Sequence, residues 1–342
     1  MKKRLVFLRL FLIIFLLLII ILSIISIKIK NKKVDAERQA KKEIQEDQDI
    51  DLKANKTIRV KMSSTNEIVA MDINDYLRGV VPAEMPPQYS EEALKAQAIV
   101  AMTYTYRKIQ DGGINQDSDV SDDPKTCQAF YTKDKLFSIW KNKGYSEDTI
   151  NEYWDKVTKA VSDTQNLVIT YNGEYIKAYF HASSPGKTEN VDQIWSGQNI
   201  PYLVSVESIE DNTYQWNTSS VCISYEDFKN KVVNNIDSRF SLENRSSEDI
   251  IKIDSYTTSG RIKNVKIGDD IVSAEKMRTI FGLRSTNFTI TLEQDDIKFD
   301  VIGNGHGIGM SQVGANYYAN NGMNCIDIIK HYYTDVNVIK LN

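Results

Sequence analysis

Glu84 is the residue of this 342-residue chain whose setting most needs a chemical explanation. In GVVPAEMPPQYS (79–90) it is flanked by Pro82, Pro86 and Pro87, three of the chain's six prolines. Pro82 fixes one backbone angle, and Pro86 pushes Met85 out of the helical region. The carboxylate therefore sits on a stiff corner, preceded by the apolar Val80 and Val81 and followed by a long helical segment. Partial burial there raises a carboxyl pKa and lets the group keep a proton near neutral pH, as a general acid must. The local pattern alone favours a plainer reading, a glutamate at a helix entry that caps the next helix.

A second candidate is GNGHGIGMSQVGANYY (303–318), with glycines at 303, 305, 307 and 309. No Gly-Lys-Ser/Thr follows, so it is not a Walker loop, and Ile308 occupies the last glycine position of G-x-G-x-x-G. Alternating glycines strip one face of side chains and let a backbone or ligand approach closely, presenting His306 on an exposed rim. A Ser311–His306 nucleophile pair has little support, because no nucleophile elbow surrounds Ser311 and no orienting acid is evident. The third candidate is YFHASSPGKTENVDQIWSGQNIPYLVSV (179–206). Its short polar residues, Pro-Gly turn, Trp195 and Tyr202 suit a sugar groove, and equally an ordinary loop with two core aromatics.

The elements that must hold these residues are readable from periodicity. TIRVKMS (57–63) and EIVAMDI (67–73) alternate as paired strands around a turn at STN. NDYLRGVV (74–81) reads as a short helix capped by Asn74 and ended by Pro82. The segment from Ser90 to Gly113 is the clearest helix. Ser90 stands at the N-cap and Glu91 and Glu92 in the first turn; Leu94, Ala98, Ala101, Thr105 and Ile109 form one stripe, and Gly112-Gly113 ends it. Residues 113–130 read as loop. Two helices follow in KDKLFSIWKNKG and SEDTINEYWDKVTKAVSDTQN, then a hairpin turning at Asn172-Gly173. Residues 206–255 carry little pattern. SAEKMRTIFGL is helical, STNFTITLEQDDIKFDVIGNG is a strand pair, and closing helices span 312–320 and 325–333. The fold class is α+β with antiparallel strands and a groove crossing Glu84.

Composition bounds the function. Residues 1–33 hold eight of the 42 basic side chains and no acids, leaving 34 basic against 46 acidic residues, a net of −12, beyond them. That balance disfavours nucleic acid or an anionic membrane as partner of the folded part and fits a neutral substrate. From Leu10 to Ile27 the chain is uncharged, interrupted only by Ser23 and Ser26, long enough to cross a ~30 Å hydrocarbon core. No small-x-small cleavage site follows, so residues 1–33 read as a cytoplasmic tip and uncleaved signal anchor, and 34–56 as a charged stalk. The flanking lysines do not choose an orientation. Three cysteines (127, 222, 325) are not a disulfide framework, though one bridge remains open, and three scattered histidines give no local metal signal.

Taken together, VVPAEMP…EALKAQAIVAMTY, HASSPGKTEN with PYLVSV, IFGLRSTNFTI and GNGHGIGMSQVGAN resemble the stage II sporulation protein D family (SpoIID/LytB-type) over residues 57–340. The resemblance implies a lytic transglycosylase of bacterial peptidoglycan. Such a protein is anchored by one N-terminal helix and faces away from the cytoplasm, acting with a partner amidase and other membrane proteins of engulfment. It places the family's catalytic acid on Glu84 and glycan-binding roles on Gln97, Thr188, Tyr202, His306, Ser311 and Gln312, with no cofactor. The implied mechanism needs one carboxylate, because the muramic acid C6 hydroxyl is the nucleophile. Where the family usually has arginine and lysine, this chain has Met102 and Val204, and Pro185-Gly186 replaces a common Gly-Gly. Of the zinc ligands of some relatives only Cys127 is present, so no metal is expected. The missing cations leave a second reading, a catalytically inactive glycan-binding scaffold. A hydrolase using water is a third.

Overall fold

The computed structural model describes residues 56–342 except 196, 211–216 and 244–245. The anchor expected over residues 10–27 and all but the last residue of the expected stalk lie outside the described residues. Among the described residues no helix is long and apolar enough to cross a membrane.

One helix organises the first half. The chain enters through an antiparallel hairpin, β1 (Thr57–Lys61) and β2 (Ile68–Asp72), then α1 (Ile73–Glu84) and the long α2 (Glu91–Gln110). Alanines at 93, 96, 98 and 101 keep α2 thin. Neighbours therefore approach on every side: α1, α4 (Glu147–Asp163), α9 (Gln312–Asn320), α10 (Cys325–Tyr332) and strand β4 (Leu167–Tyr171). The single stripe expected from the sequence is thus a nearly all-round buried surface, including Val100, Met102 and Thr103, as befits a helix at the centre of a core. Its polar groups are matched individually. Thr103 Oγ1 receives the backbone N–H of Ile169 at 2.9 Å, fastening α2 to β4. The Ser90 side chain makes no capping bond; instead the Ser90 N–H is donated to Asn316 Oδ1 at 2.8 Å, tying the start of α2 to α9. Gly112 and Gly113, both at positive φ, close the far end as expected.

Around this helix stand β3 (Val120–Ser121), which joins β1 in parallel, and the helical pair α3 (Lys133–Asn142) and α4. The Asn172-Gly173 turn is left-handed at both positions (φ 50° and 83°) and links β4 to β5 (Glu174–Tyr175), with β16 (Asn337–Lys340) completing that sheet. Next come β6 (Phe180–His181), β7 (Gly186–Lys187), the short α5 (Val191–Ile194) and β8 (Glu207–Ser208).

The weakly patterned stretch opens a second core. β9 (Thr218–Ser224), α6 (Tyr225–Asn235), α7 (Ser247–Ile250), β10 (Ile251–Tyr256), β11 (Ile262–Ile267), β12 (Asp270–Ser273), α8 (Ala274–Phe281), β13 (Phe288–Leu292) and β14 (Asp296–Ile302) form it. Two three-stranded antiparallel sheets, β10-β11-β12 and β13-β14-β9, enclose Phe228, Phe281, Phe288 and Phe299. The chain then returns along the glycine strip to β15 (Met310–Ser311), which pairs in parallel with β6, and to α9 and α10. The result is the α+β architecture with mainly antiparallel pairing that the sequence predicts.

Helix α1 departs from its expected bounds. Asp72, not Asn74, is its cap, accepting the Asn74 N–H at 2.8 Å, and the helix runs three residues beyond Val81. Pro82 is tolerated because it falls in the last turn, where it forfeits only the bond to the Arg78 carbonyl. The stop comes at Met85, held at φ −125° and ψ 134° in front of Pro86. Gly79 in this helix faces Phe130, and a Cβ there would meet the ring at 2.4 Å and the Tyr131 carbonyl at 2.5 Å. In Gly79→Ala the helix-propensity gain of ~1 kcal/mol opposes an overpacking cost of ~1–3 kcal/mol against a backbone atom that cannot rotate away. The variant is expected to melt several degrees below the parent in a thermal unfolding scan; an unchanged or higher midpoint would show that the 129–131 segment yields freely.

Candidate active site

Because α1 ends at Glu84, its last side chain projects from the corner into a cleft of about 440 Å3. The proline corner (82–89) forms one side. The aromatic and aliphatic side chains Tyr131, Leu136, Ile139, Trp140 and Tyr145 form another, and Ala182, Asn304, Gln312 and Val313 close it. Glu84 is mostly buried. One carboxyl oxygen, Oε1, accepts the Ala129 N–H at 2.6 Å, while Oε2 has no hydrogen-bond partner among the described residues and is open to the cleft. Burial raises the Glu84 pKa, and the single backbone hydrogen bond only partly offsets it. The group therefore holds its proton to higher pH than an exposed glutamate. The phenols of Tyr76 and Tyr104 lie close enough to feel its charge; burial keeps both protonated, with the Cys127 sulfur the next contribution. Among the described residues the only other charged side chain on the cleft is Lys143, which forms no ion pair with any of them. Chemically, the arrangement is one protonatable carboxyl facing a partly aromatic trough.

The site residues expected from the sequence divide sharply. Glu84 and Gln312 meet at the cleft. Gln97, 0% exposed, stands behind Gln312 and accepts its Nε2–H at 3.3 Å, so it can orient Gln312 and cannot itself reach a ligand. Thr188, Tyr202 and Ser311 are not on the cleft, and their hydroxyls serve the fold. Thr188 Oγ1 accepts the Val206 N–H at 2.9 Å, and the Tyr202 hydroxyl accepts the Lys177 N–H at 2.9 Å. Ser311 caps α9 by accepting the Gly314 N–H at 3.2 Å while donating to Glu210 at 2.5 Å. His306 is not on an exposed rim. Its ring packs among His181, Tyr179 and Trp195, its Nδ1 accepts the Ile308 N–H at 3.0 Å, and burial lowers its pKa to about 4. It is a neutral ring wedged beside the cleft, and no Ser311–His306 pair forms. All three cysteines are unpaired, and among the described residues no cluster of three His, Cys, Asp or Glu side chains could hold a metal ion.

Two buried acids carry no sequence signal, because nothing in their neighbourhoods marks a charge as internal. Glu210 gathers the hydroxyls of Ser183 (2.6 Å), Ser208 (3.2 Å) and Ser311 (2.5 Å) and the Ser184 N–H (2.6 Å). Glu189 accepts from Thr257 and Ser259, and the buried Arg261 lies near both acids and donates to Ser184. These groups join the second core to the segments that carry His306 and Gln312. Neither acid lines the cleft.

A cleft protein with one buried, protonatable acid held by a proline corner is thus the class that fold and site define. The family model described as stage II sporulation protein (SpoIID) matches residues 61–171, which include Glu84 and α2. Stage II sporulation protein D of Bacillus amyloliquefaciens is 30% identical over 284 residues, covering 82% of this chain and 78% of that protein. Its namesake in Bacillus subtilis (strain 168) is 31% identical over 279 residues, covering 81% and 77%. The amidase enhancer of Bacillus subtilis (strain 168) is 28% identical over 304 residues, covering 75% of this chain and 39% of that protein. The chain belongs to the stage II sporulation protein D family, a family of sporulation proteins.

Two measurements probe the acids. Folding raises the Glu84 pKa, so the folded state carries an ionisation penalty that is absent below the unfolded pKa of ~4.3 and grows as pH rises through the folded value. Glu84→Gln keeps the acceptor for Ala129 and removes the penalty. Its melting temperature is expected to exceed the parent's at pH 7–8, with the gain vanishing near pH 4; equal midpoints at both pH values would mean the carboxylate is well solvated. Glu210→Ala, which strands four donors, is expected to lose on the order of 3 kcal/mol in denaturant unfolding. Glu210→Gln should lose clearly less, and equal losses would show that the cluster depends on charge rather than on acceptors.

Proposed function

We propose that this protein is a membrane-anchored lytic transglycosylase that cleaves the bond between N-acetylmuramic acid and N-acetylglucosamine in peptidoglycan strands. The observation that carries this reading is the setting of Glu84: a desolvated carboxyl at the mouth of a cleft, one oxygen fixed by Ala129 and the other free. Raised pKa and fixed position are what a group needs to give up a proton and take it back. Protonated Glu84 donates to the glycosidic oxygen as the C1–O bond breaks and positive charge develops at C1. The C6 hydroxyl of the same muramic acid then attacks C1, and its proton returns to Glu84. The product is a 1,6-anhydro end, and no water is consumed. An intramolecular nucleophile removes the need for a second carboxylate, in keeping with a cleft that has no other acid among its described lining residues. Gln312, backed by Gln97, offers the glycan an amide, and Asn304 offers another.

Anchoring would come from residues 10–27, with the folded part outside the cytoplasm of a sporulating cell. The amidase enhancer relative supports an amidase as partner. The inactive-scaffold reading drew on the missing cations at 102 and 204. Met102, however, is 1% exposed inside the core, where an arginine would have no solvent, and Lys143 gives the cleft a cation of its own.

The test incubates the full-length chain with glycan strands freed of peptides and weighs the products. Anhydro-ended fragments are expected, and Glu84→Gln should reduce their rate at least ~100-fold, the usual scale for a general acid. Fragments one water heavier would make the protein a hydrolase. Tight strand binding without cleavage would make it a scaffold.

A further inference from the structure

Beside the cleft lies a second, open depression of about 630 Å3 lined by Tyr179, Ile194, Trp195 and Gln198. We propose that it is a separate sugar-binding subsite, which takes an N-acetylhexosamine unit of the strand beyond those held at Glu84. The inference rests on the glycan-cleaving reading above for the identity of the strand and adds a site that Glu84 chemistry does not require.

Three independent features point to a saccharide. The rings of Tyr179 and Trp195 meet edge to face, with centroids 4.9 Å apart and planes at 74°, so the pair presents a fixed aromatic corner. His306 stands 5.3 Å from Trp195 and 6.4 Å from Tyr179 and braces both. Aromatic faces of this kind receive the C–H face of a pyranose, which is apolar, while the ring's edge hydroxyls seek polar partners. Gln198 supplies such a partner. Its side-chain oxygen is buried without any hydrogen bond, and a buried acceptor left unmet is costly. A rotation of that amide towards the depression would let a sugar hydroxyl or acetamido N–H meet that need. The volume is in the range of small-ligand sites.

Position makes the depression part of one track. Asn304 lines the Glu84 cleft, and two residues on, His306 backs Trp195. On the neighbouring strand Ala182 lines the cleft, while the ring of His181 stands 5.6 Å from that of His306. Tyr104 lies near both Glu84 and Tyr179. A strand seated at Glu84 and continuing past Ala182 and Asn304 would therefore reach Trp195. Tyr202, the other aromatic of this segment, is excluded, since its hydroxyl is committed to Lys177.

The test measures affinity in the full-length Glu84→Gln background, where no cutting interferes, with N-acetylglucosamine trimer and hexamer as probes. Adding Trp195→Ala is expected to weaken the hexamer about tenfold and leave the trimer within twofold, and Trp195→Phe to restore most of the loss. Gln198→Leu should weaken the hexamer while leaving the melting temperature equal or higher, because it removes an unmet acceptor; a merely structural Gln198 would lower it. Hexamer affinity unchanged by Trp195→Ala and Gln198→Leu overturns the subsite, as does equal loss for both lengths or no hexamer binding before substitution. The two readings separate cleanly. Anhydro products from the parent with no length-dependent loss in the variants would end the subsite and leave the transglycosylase standing. Length-dependent binding without any cleavage would do the reverse.

Discussion

The close approach of the glycine strip to its neighbours is the constraint on which the rest of the molecule depends. Gly303, Gly305, Gly307 and Gly309 all have positive φ, between 71° and 110°. A Cβ on Gly309 would lie 2.0 Å from the Tyr179 carbonyl, one on Gly303 2.9 Å from that of Ser183, and one on Gly305 2.7 Å from the His181 side chain. A Cβ on Gly307 would sit 2.9 Å from the Arg261 guanidinium. Two faces of the strip are thereby closely covered, one by the 179–183 segment and one by the Arg261 side chain of the second core. This contact delivers Asn304 to the cleft, His306 to the aromatic corner and Gln312 to the start of α9. Only glycine combines that backbone conformation with that spacing, so the strip works by bringing backbone against backbone more than by offering a bare surface to a ligand.

Two glutamates show how environment divides roles among chemically equal groups. Glu84 and Glu210 are both largely buried, and burial raises the pKa of both. Glu210 is surrounded by donors: three hydroxyls and one backbone N–H converge on its oxygens. A proton or a ligand arriving there would have to displace bonds already made, and Glu210 does not line the Glu84 cleft. Glu84 has one donor and an open oxygen. Its penalty for burial is left largely uncompensated, which keeps its pKa raised while one oxygen faces the cleft. Counting satisfied lone pairs, rather than depth, separates the two acids.

The parts legible in the sequence were those governed by local rules. The Asn172-Gly173 turn, the strand pairs at 57–73 and 288–302, the glycine end of α2 and the extended Met85 before Pro86 each follow from the conformational limits of a few adjacent residues. Glu84 stood out for the same reason, since its prolines are its neighbours in sequence. What stayed hidden depends on tertiary partners. The core between 218 and 302 is built from short strands, β10 to β12 of only four to six residues among them, too brief for a period to stand out. Glu189, Glu210 and Arg261 look like solvent-facing charges until strands distant in sequence enclose them. Thr188, Tyr202 and Ser311 sit in conspicuous motifs, yet their hydroxyls are consumed by Val206, Lys177 and Glu210. A conspicuous motif residue can hold the backbone that frames a site as readily as it can touch what binds there.

The proline corner also turns out to need a partner that no local rule suggests. The loop that Pro86 and Pro87 begin joins no sheet, so the carbonyls of Pro87, Gln88 and Tyr89 must find donors elsewhere. The Lys156 ammonium of α4 approaches all three, at 3.2 Å, 3.4 Å and a shorter contact to Tyr89. Burial lowers the pKa of that lysine, an expense compensated by the three acceptors it satisfies. Nearby, Gln88 donates to the Tyr145 hydroxyl at 2.6 Å, so the corner is joined to the aromatic wall of the cleft as well. Prolines narrow the choices of the unfolded chain; they do not decide where a folded corner sits relative to the opposite wall. Lys156 and Gln88 tie the corner to α4 and to the aromatic wall on the far side of the trough.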